Sequence, residues 1–182
     1  MDAEALLSAH YPPSSRTWRI LVDHGHQVAQ KALRAAAAVA HLSPDTEFIR
    51  QAALLHDIGI RFTDAPGLGC TGKYPYICHG YLGRELLEKE GFPRHALVCE
   101  RHVGVGLSRR DIIRQGLPLP LRDMLPVTIE EQIVCYADKF FSKSGHGAAR
   151  EKSVAEIARG LARHGADKAE KFLRWAALFG DA

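Results

Sequence analysis

The sequence predicts an all-α protein, and three observations carry that expectation. Apolar residues recur at helical spacing along most of its 182 residues. Capping residues and helix-stopping glycines and prolines stand at the ends of those runs. No alternating strand pattern of useful length interrupts them.

The elements follow in order. Pro12-Pro13-Ser14-Ser15 punctuates the chain before a long run from about Arg16 to Leu42, in which Ile20, Leu21, Val28, Leu33 and many alanines favour helix. Ser43-Pro44 then offers an N-cap and a first-turn proline, with Asp45 and Glu47 suited to the positive end of a helix from Asp45 to Asp57. A helix from His79 to Glu90 stops at Gly91, before Phe92-Pro93, and a short one runs from Pro93 to His102. Ser108 with Asp111, and Thr128 with Glu131, form capping boxes for two more, the second ending at Asp138. Two irregular segments remain. Arg61 to Cys78 is rich in glycine and proline and reads as a lid or binding loop, and Gly116 to Pro126 is expected to shape one wall of a pocket.

Beyond Ser144, Gly145-His146-Gly147 marks a break. Val154, Ile157, Ala158, Leu161, Phe172, Leu173 and Trp175 then recur at helical spacing among Lys and Arg, a stripe expected to pack on its own domain rather than on a membrane or partner. The expected organisation is a domain over 1–144, with an N-terminal helix, and a C-terminal helical extension over 145–182.

Composition narrows the class. Apolar content of 46% and charge of 25% are those of an ordinary soluble globule, which at this length buries roughly 70% of its unfolded surface. A net charge of +3 is too small to imply nucleic-acid binding. The absence of a membrane-length apolar run and of a signal-peptide pattern leads to the expectation of a cytoplasmic protein without a membrane partner. Cys70, Cys78, Cys99 and Cys135 show no paired motif and read as small reduced hydrophobes.

His56-Asp57 is the most informative pair. It closes the apolar run Ala52-Ala53-Leu54-Leu55, where burial is expected, and a buried carboxylate is costly unless paired, hydrogen-bonded or metal-bound. His24 lies in another helix upstream, His79 and His102 open or close helices downstream, and Asp138 ends the apolar run Ile133-Val134-Cys135-Tyr136-Ala137. Four imidazoles and two carboxylates without thiolate suit iron, manganese, zinc, cobalt or magnesium. Six ligands exceed what one catalytic ion takes while keeping an open position, which makes two divalent ions the expectation. His10, His41, His95, His146 and His164 read as ordinary core or surface histidines.

The ordered set His24, His56-Asp57, His79, His102, Asp138 resembles the HD superfamily of metal-dependent phosphohydrolases, over about Leu21 to Phe141. Local context agrees: His56-Asp57-Ile58-Gly59, His24-Gly25-His26-Gln27-Val28-Ala29, His79-Gly80-Tyr81-Leu82-Gly83 and Tyr136-Ala137-Asp138-Lys139. The resemblance implies an HD-domain helical bundle. It places a first metal on His24, His56, Asp57 and Asp138, with Asp57 bridging to a second on His79 and His102. His56 and Asp57 are then the catalytic pair. The reaction implied is hydrolysis of a nucleotide or related small-molecule phosphoester by a metal-bound hydroxide. Ile60-Arg61 and the single His102 depart from the branches that cleave cyclic dinucleotides and argue against that activity. The spacing is closer to the small stand-alone HDIG proteins and to the symmetrical dinucleoside tetraphosphate hydrolases, although the stretch from His102 to Asp138 is longer than in the latter.

Phosphate recognition also needs side-chain cations, for which Arg61, Lys73 and Lys139 are the expected substrate-binding residues, with Arg101, Arg109 and Arg110 as further candidates. His26 is a candidate general acid. The same ligand pattern also fits a di-iron oxygenase, or a nucleotide-binding regulatory module that keeps the fold without turnover. Nothing in the sequence marks an oligomer interface.

Overall fold

A computed structural model of the chain describes residues 2–143 and 150–181. Among them the helices are α1 (Ala3–His10), α2 (Arg16–Ala38), α3 (Thr46–Leu55), α4 (His79–Lys89), α5 (Pro93–Arg101), α6 (Arg109–Gln115), α7 (Ile129–Asp138), α8 (Val154–Ala162) and α9 (Ala166–Leu178). The described sheet is a two-residue ribbon, β1 (Asp64–Ala65) against β2 (Cys70–Thr71), inside the long loop before α4. The fold is all-α. No helix among the described residues is long and apolar enough to cross a membrane.

Local chemistry sets the boundaries. The run beginning at Arg16 ends as α-helix at Ala38 and tightens into a 3-10 turn over Ala40–Leu42, short of a continuous helix to Leu42. Ser43 then takes a left-handed conformation (φ 50°), and the cap of α3 is Asp45, whose carboxylate accepts from the Phe48 amide at 2.9 Å. Both halves of the Ser108–Asp111 capping box form. At α7 only one half does: Thr128 accepts from the Glu131 amide, while the Glu131 carboxylate takes the Val127 amide and Arg101.

Two clusters of buried side chains hold the bundle. One joins Val28 and Ala32 of α2, Ile49 and Ala52 of α3, Ile133 and Tyr136 of α7, and Phe172, Trp175 and Phe179 of the C-terminal segment. Tyr136 stacks on Phe172 with ring centroids 5.1 Å apart, so α9 shares its core with the helices of the histidine motif. The other gathers Leu7 and Tyr11, Leu21, Leu54 and Leu55, Ile58, Ile60, Leu87 and Cys99. Along α2, His24 falls between Leu21 of one cluster and Val28 of the other, which places it where the two meet. The Gly145-His146-Gly147 break and the proposed boundary at residue 144 lie outside the described residues.

Gly59 allows the turn after Asp57 to touch α4. A Cβ there would lie 2.1 Å from the His79 carbonyl oxygen and 2.4 Å from the Gly83 nitrogen, distances no side chain can occupy. Tyr11 fastens the same turn from the other side, its hydroxyl donating to the Ile58 carbonyl (2.8 Å) and accepting from the Arg61 amide (2.7 Å).

Candidate metal centre

Five of the six predicted ligands stand at helix ends. His56 caps the C-terminus of α3, His102 that of α5, and Asp138 is the last residue of α7; Asp57 opens the following 3-10 turn, and His79 is the first residue of α4. His24 alone comes from mid-helix. Three helix C-termini thus converge, and the partial negative charge at each favours a cation.

All six side chains are buried, from 1% exposed at His56 to 6% at Asp138. They fall into two groups that share Asp57. His24, His56, Asp57 and Asp138 present donor atoms within 4.8 Å of one another, and so do Asp57, His79 and His102. The two oxygens of Asp57 face different groups. Oδ2 lies 3.1 Å from His56 Nε2 and 3.5 Å from His24 Nε2, whereas Oδ1 lies 3.4 Å from His79 Nε2 and 3.5 Å from His102 Nε2.

Backbone carbonyls orient three of the rings. Nδ1–H of His56 donates to the Ala53 carbonyl (2.7 Å), that of His79 to Tyr76 (2.6 Å) and that of His102 to Cys99 (2.7 Å). A carbonyl only accepts, so Nε2 is the atom left to face the centre, the arrangement by which an outer partner fixes a metal-binding imidazole. Cys99 and Cys135 contribute here as well, donating S–H to the carbonyls of His56 and His102. All four cysteines are free and buried.

Electrostatics show how the chain holds this charge by itself. Burial pushes the Asp57 and Asp138 carboxyls up, yet nearby cations outweigh it and hold both well below the usual range: His56 and Lys143 act on Asp57, Lys139 and Lys143 on Asp138. Burial lowers His56, but Asp57 and Asp138 overcome it and raise the ring to about 9. His79 goes the other way, pushed down to about 3 chiefly by burial, and burial lowers His102 too. The Lys143 ammonium lies 2.8 Å from Asp57 Oδ2 and 3.9 Å from Asp138 Oδ1, an ion pair with the first carboxylate and a looser one with the second. Among the described residues no hydrogen bond of good geometry satisfies either Asp57 oxygen or His56 Nε2, although all three atoms are fully buried; what faces them is charge, the Lys143 ammonium and the neighbouring rings. A buried carboxylate whose lone pairs lack well-aligned donors, ringed by oriented imidazoles, fits a divalent cation.

Residues 21–142 match the HD domain family. This chain is an HD-domain protein. An uncharacterized protein of Methanocaldococcus jannaschii is 37% identical over 121 residues, covering 65% of this chain and 64% of its own. Two tRNA (cytidine(56)-2'-O)-methyltransferases are similar as well. That of Picrophilus torridus is 33% identical over 124 residues, 68% of this chain and 32% of the relative. That of Thermoplasma volcanium is 32% identical over 123 residues, 67% and 32%. The chain therefore spans just under two thirds of the first relative and about a third of the methyltransferases. No solved structure matches it.

Beside the HD centre opens a cavity of about 610 Å³, lined by the loop residues Asp64, Leu68 and Tyr76 and by Lys139, Lys143 and Lys152. The loop from Arg61 to Cys78 thus forms one of its walls. The segment from Gly116 to Pro126 does not line it; Arg122 pairs there with buried Glu100, and Leu119 and Met124 pack with Leu82 and Ile112.

Of the three cations expected to bind substrate, the structure brings Lys139 alone to this cavity. Its ammonium lies 2.7 Å from Asp138 Oδ2 and donates to the His102 carbonyl, so it ties two ligand-bearing helix ends together. Arg61 turns away. Its guanidinium donates to His10 Nδ1 at 3.0 Å and lies near the Tyr11 and Phe62 rings. Lys73 is exposed and stands outside the lining. His26, half exposed, pairs with Glu4 at 3.0 Å, away from the centre. Sequence reasoning missed Lys143. The available signal was its place five residues beyond Asp138, in a chain that must pass the site on leaving α7.

Proposed function

We propose that this HD-domain protein is a metal-dependent phosphohydrolase acting on a nucleotide or a related phosphoester, with His24, His56, Asp57 and Asp138 holding one divalent ion and Asp57, His79 and His102 a second. The observation that carries the reading is the division of Asp57, whose two oxygens face separate histidine groups as a bridging carboxylate would. When bound, such ions supply Lewis acidity and lower the pKa of water from ~15.7 toward ~7, giving a nucleophile at neutral pH.

The chain's own groups do the rest. The backbone carbonyls of Ala53, Tyr76 and Cys99 lock the three rings before any ligand arrives, so little reorganisation is needed on binding. Asp57 and Asp138, kept ionised, concentrate negative charge on the metal side, and Lys143, the cavity lysine nearest Asp57, would place positive charge beside a reacting phosphate. A cavity of about 610 Å³ is of the size that takes a nucleotide-sized ligand. Tyr76, whose ring packs 4.7 Å from that of His79, adds an aromatic side chain to the cavity lining.

The test is turnover by manganese- or iron-loaded protein against nucleotides, dinucleoside polyphosphates and sugar phosphates, beside an Asp57→Ala control. Two relatives are named as tRNA methyltransferases, so tRNA with phosphorylated ends joins the panel. Hydrolysis products, read by chromatography, that disappear in the control support the reading. Silence across the panel overturns it, and oxygen-dependent turnover would replace it with an oxygenase.

A further inference from the structure

Three lysines line the cavity beside the metal centre, and their surroundings differ. Lys139 is engaged twice, by Asp138 and by the His102 carbonyl. Lys143 rests against Asp57 Oδ2, one of the atoms the first ion would use. A divalent cation bound to that oxygen at ~2 Å would repel an ammonium 2.8 Å from the same atom. The flexible four-carbon stem of Lys143, which follows the end of α7 in irregular chain, lets the ammonium swing from the carboxylate toward the cavity. Lys152 differs again. It is only partly exposed, its backbone amide is fixed by the Phe140 carbonyl at 2.9 Å, and among the described residues its ammonium pairs with no carboxylate, the neighbouring Glu151 being taken by Lys31 and Arg34. Among the described residues, the carboxylates lining the cavity are Asp138, already matched by Lys139, and the solvent-exposed Asp64.

A single phosphate held at the metal centre would occupy Lys143 and leave Lys152 without an anion. We infer that Lys143 and Lys152 form a two-point anion subsite, which selects substrates carrying two linked phosphates: the reacting group beside Lys143 and a second phosphate at Lys152. This deepens the phosphohydrolase reading and rests on it for the placement of the reacting group. The substrate class is then a diphosphate or polyphosphate ester, such as a nucleoside diphosphate or triphosphate, in preference to a monophosphate. Both lysines are positioning residues that set the place of the phosphates relative to the centre.

Calorimetric titration of manganese-loaded protein with orthophosphate and with imidodiphosphate, which resists hydrolysis, reads the subsite without turnover. Metal content is checked in every variant before and after titration. Imidodiphosphate is expected to bind at least tenfold tighter than orthophosphate. Lys152→Ala should erase that preference while leaving orthophosphate affinity within twofold, and Lys152→Arg should retain it. Lys143→Met should weaken both anions and tighten manganese several-fold, because it removes a cation that competes for Asp57. Equal binding of the two anions, or a preference that survives Lys152→Ala, overturns the proposal. Failure of the underlying reading looks different: a Lys152-dependent diphosphate preference without hydrolysis of any phosphoester leaves the subsite standing and removes the hydrolase. Hydrolysis with no such preference does the reverse.

Discussion

His79 and His102 face each other through their Nε2 atoms at 3.1 Å, and each commits its Nδ1–H to a backbone carbonyl. Burial disfavours protonation of both rings, so two lone pairs are turned toward one point that Asp57 Oδ1 also approaches. Such a contact is repulsive until a cation shares it. Removing one ring should therefore remove one ion. His102→Ala is expected to lower bound manganese from two per chain to one, read by elemental analysis of dialysed protein, while His24→Ala should spare the ion at His79 and His102. Two ions retained in His102→Ala would show that this pair is not a ligand set.

Proton release accompanies loading. His56 in the metal-free chain titrates at about 9, and an imidazole must be neutral to bind a metal. At pH 7 each chain should release about one proton from His56 as the first site fills, and apparent affinity should rise about tenfold per pH unit up to about pH 9, then level. Calorimetry in buffers of differing ionisation enthalpy counts the protons. A count of zero at pH 7 would show that His56 is neutral beforehand.

Gly59→Ala should be severely destabilising although the residue carries no chemistry. The added carbon meets backbone on α4, which cannot move as a flexible side chain would. A cost of about 3 kcal/mol, or roughly 6–12 °C in melting temperature, is expected from overpacking of this kind. A melting temperature within 2 °C of the parent would show that the turn relaxes freely, an outcome the 2.1 Å approach to the His79 carbonyl argues against.

A separate acid sensitivity should come from His95, outside the centre. Burial lowers it to about 4, with Arg94 adding to the effect, and its ring packs 4.7 Å from Phe48. Because the folded pKa lies below the unfolded value near 6.5, this contribution is complete above pH 6.5 and is lost as pH falls toward 4. Partial exposure limits the loss to about 1 kcal/mol between pH 7 and pH 5. Urea unfolding at both values should show a smaller pH difference in His95→Gln than in the parent. An equal difference would assign the sensitivity elsewhere.

The cluster of candidate ligands was legible because His56-Asp57 and Asp138 close apolar helical runs, where a buried polar group demands a partner, and because His24, His79 and His102 stand in or at the ends of neighbouring helices. The all-α class followed from the same periodicity. Position within a helix is readable in this way, but direction after a turn is not. Arg61 stands four residues from Asp57, yet the intervening 3-10 turn carries its guanidinium to Tyr11 and Phe62. Lys143 lies in irregular chain, where a lysine resembles any solvated lysine until the fold sets Asp57 beside it. The α3 cap moved from Ser43 to Asp45 for a related reason: both residues suit the role, and only the left-handed backbone at Ser43 decides between them.

The ligands span much of the chain, His24 and Asp138 meeting at 3.0 Å across 114 positions. On the ribosome, α2 and α3 emerge long before α7, so three of the four donors of the first group wait, unassembled, for Asp138. A nascent chain lacking α7 would lack one of the four donors that this group could offer a metal. If these residues hold a metal, its selection would fall to the finished protein, and the free metal levels of the compartment in which folding ends would decide which ion is taken.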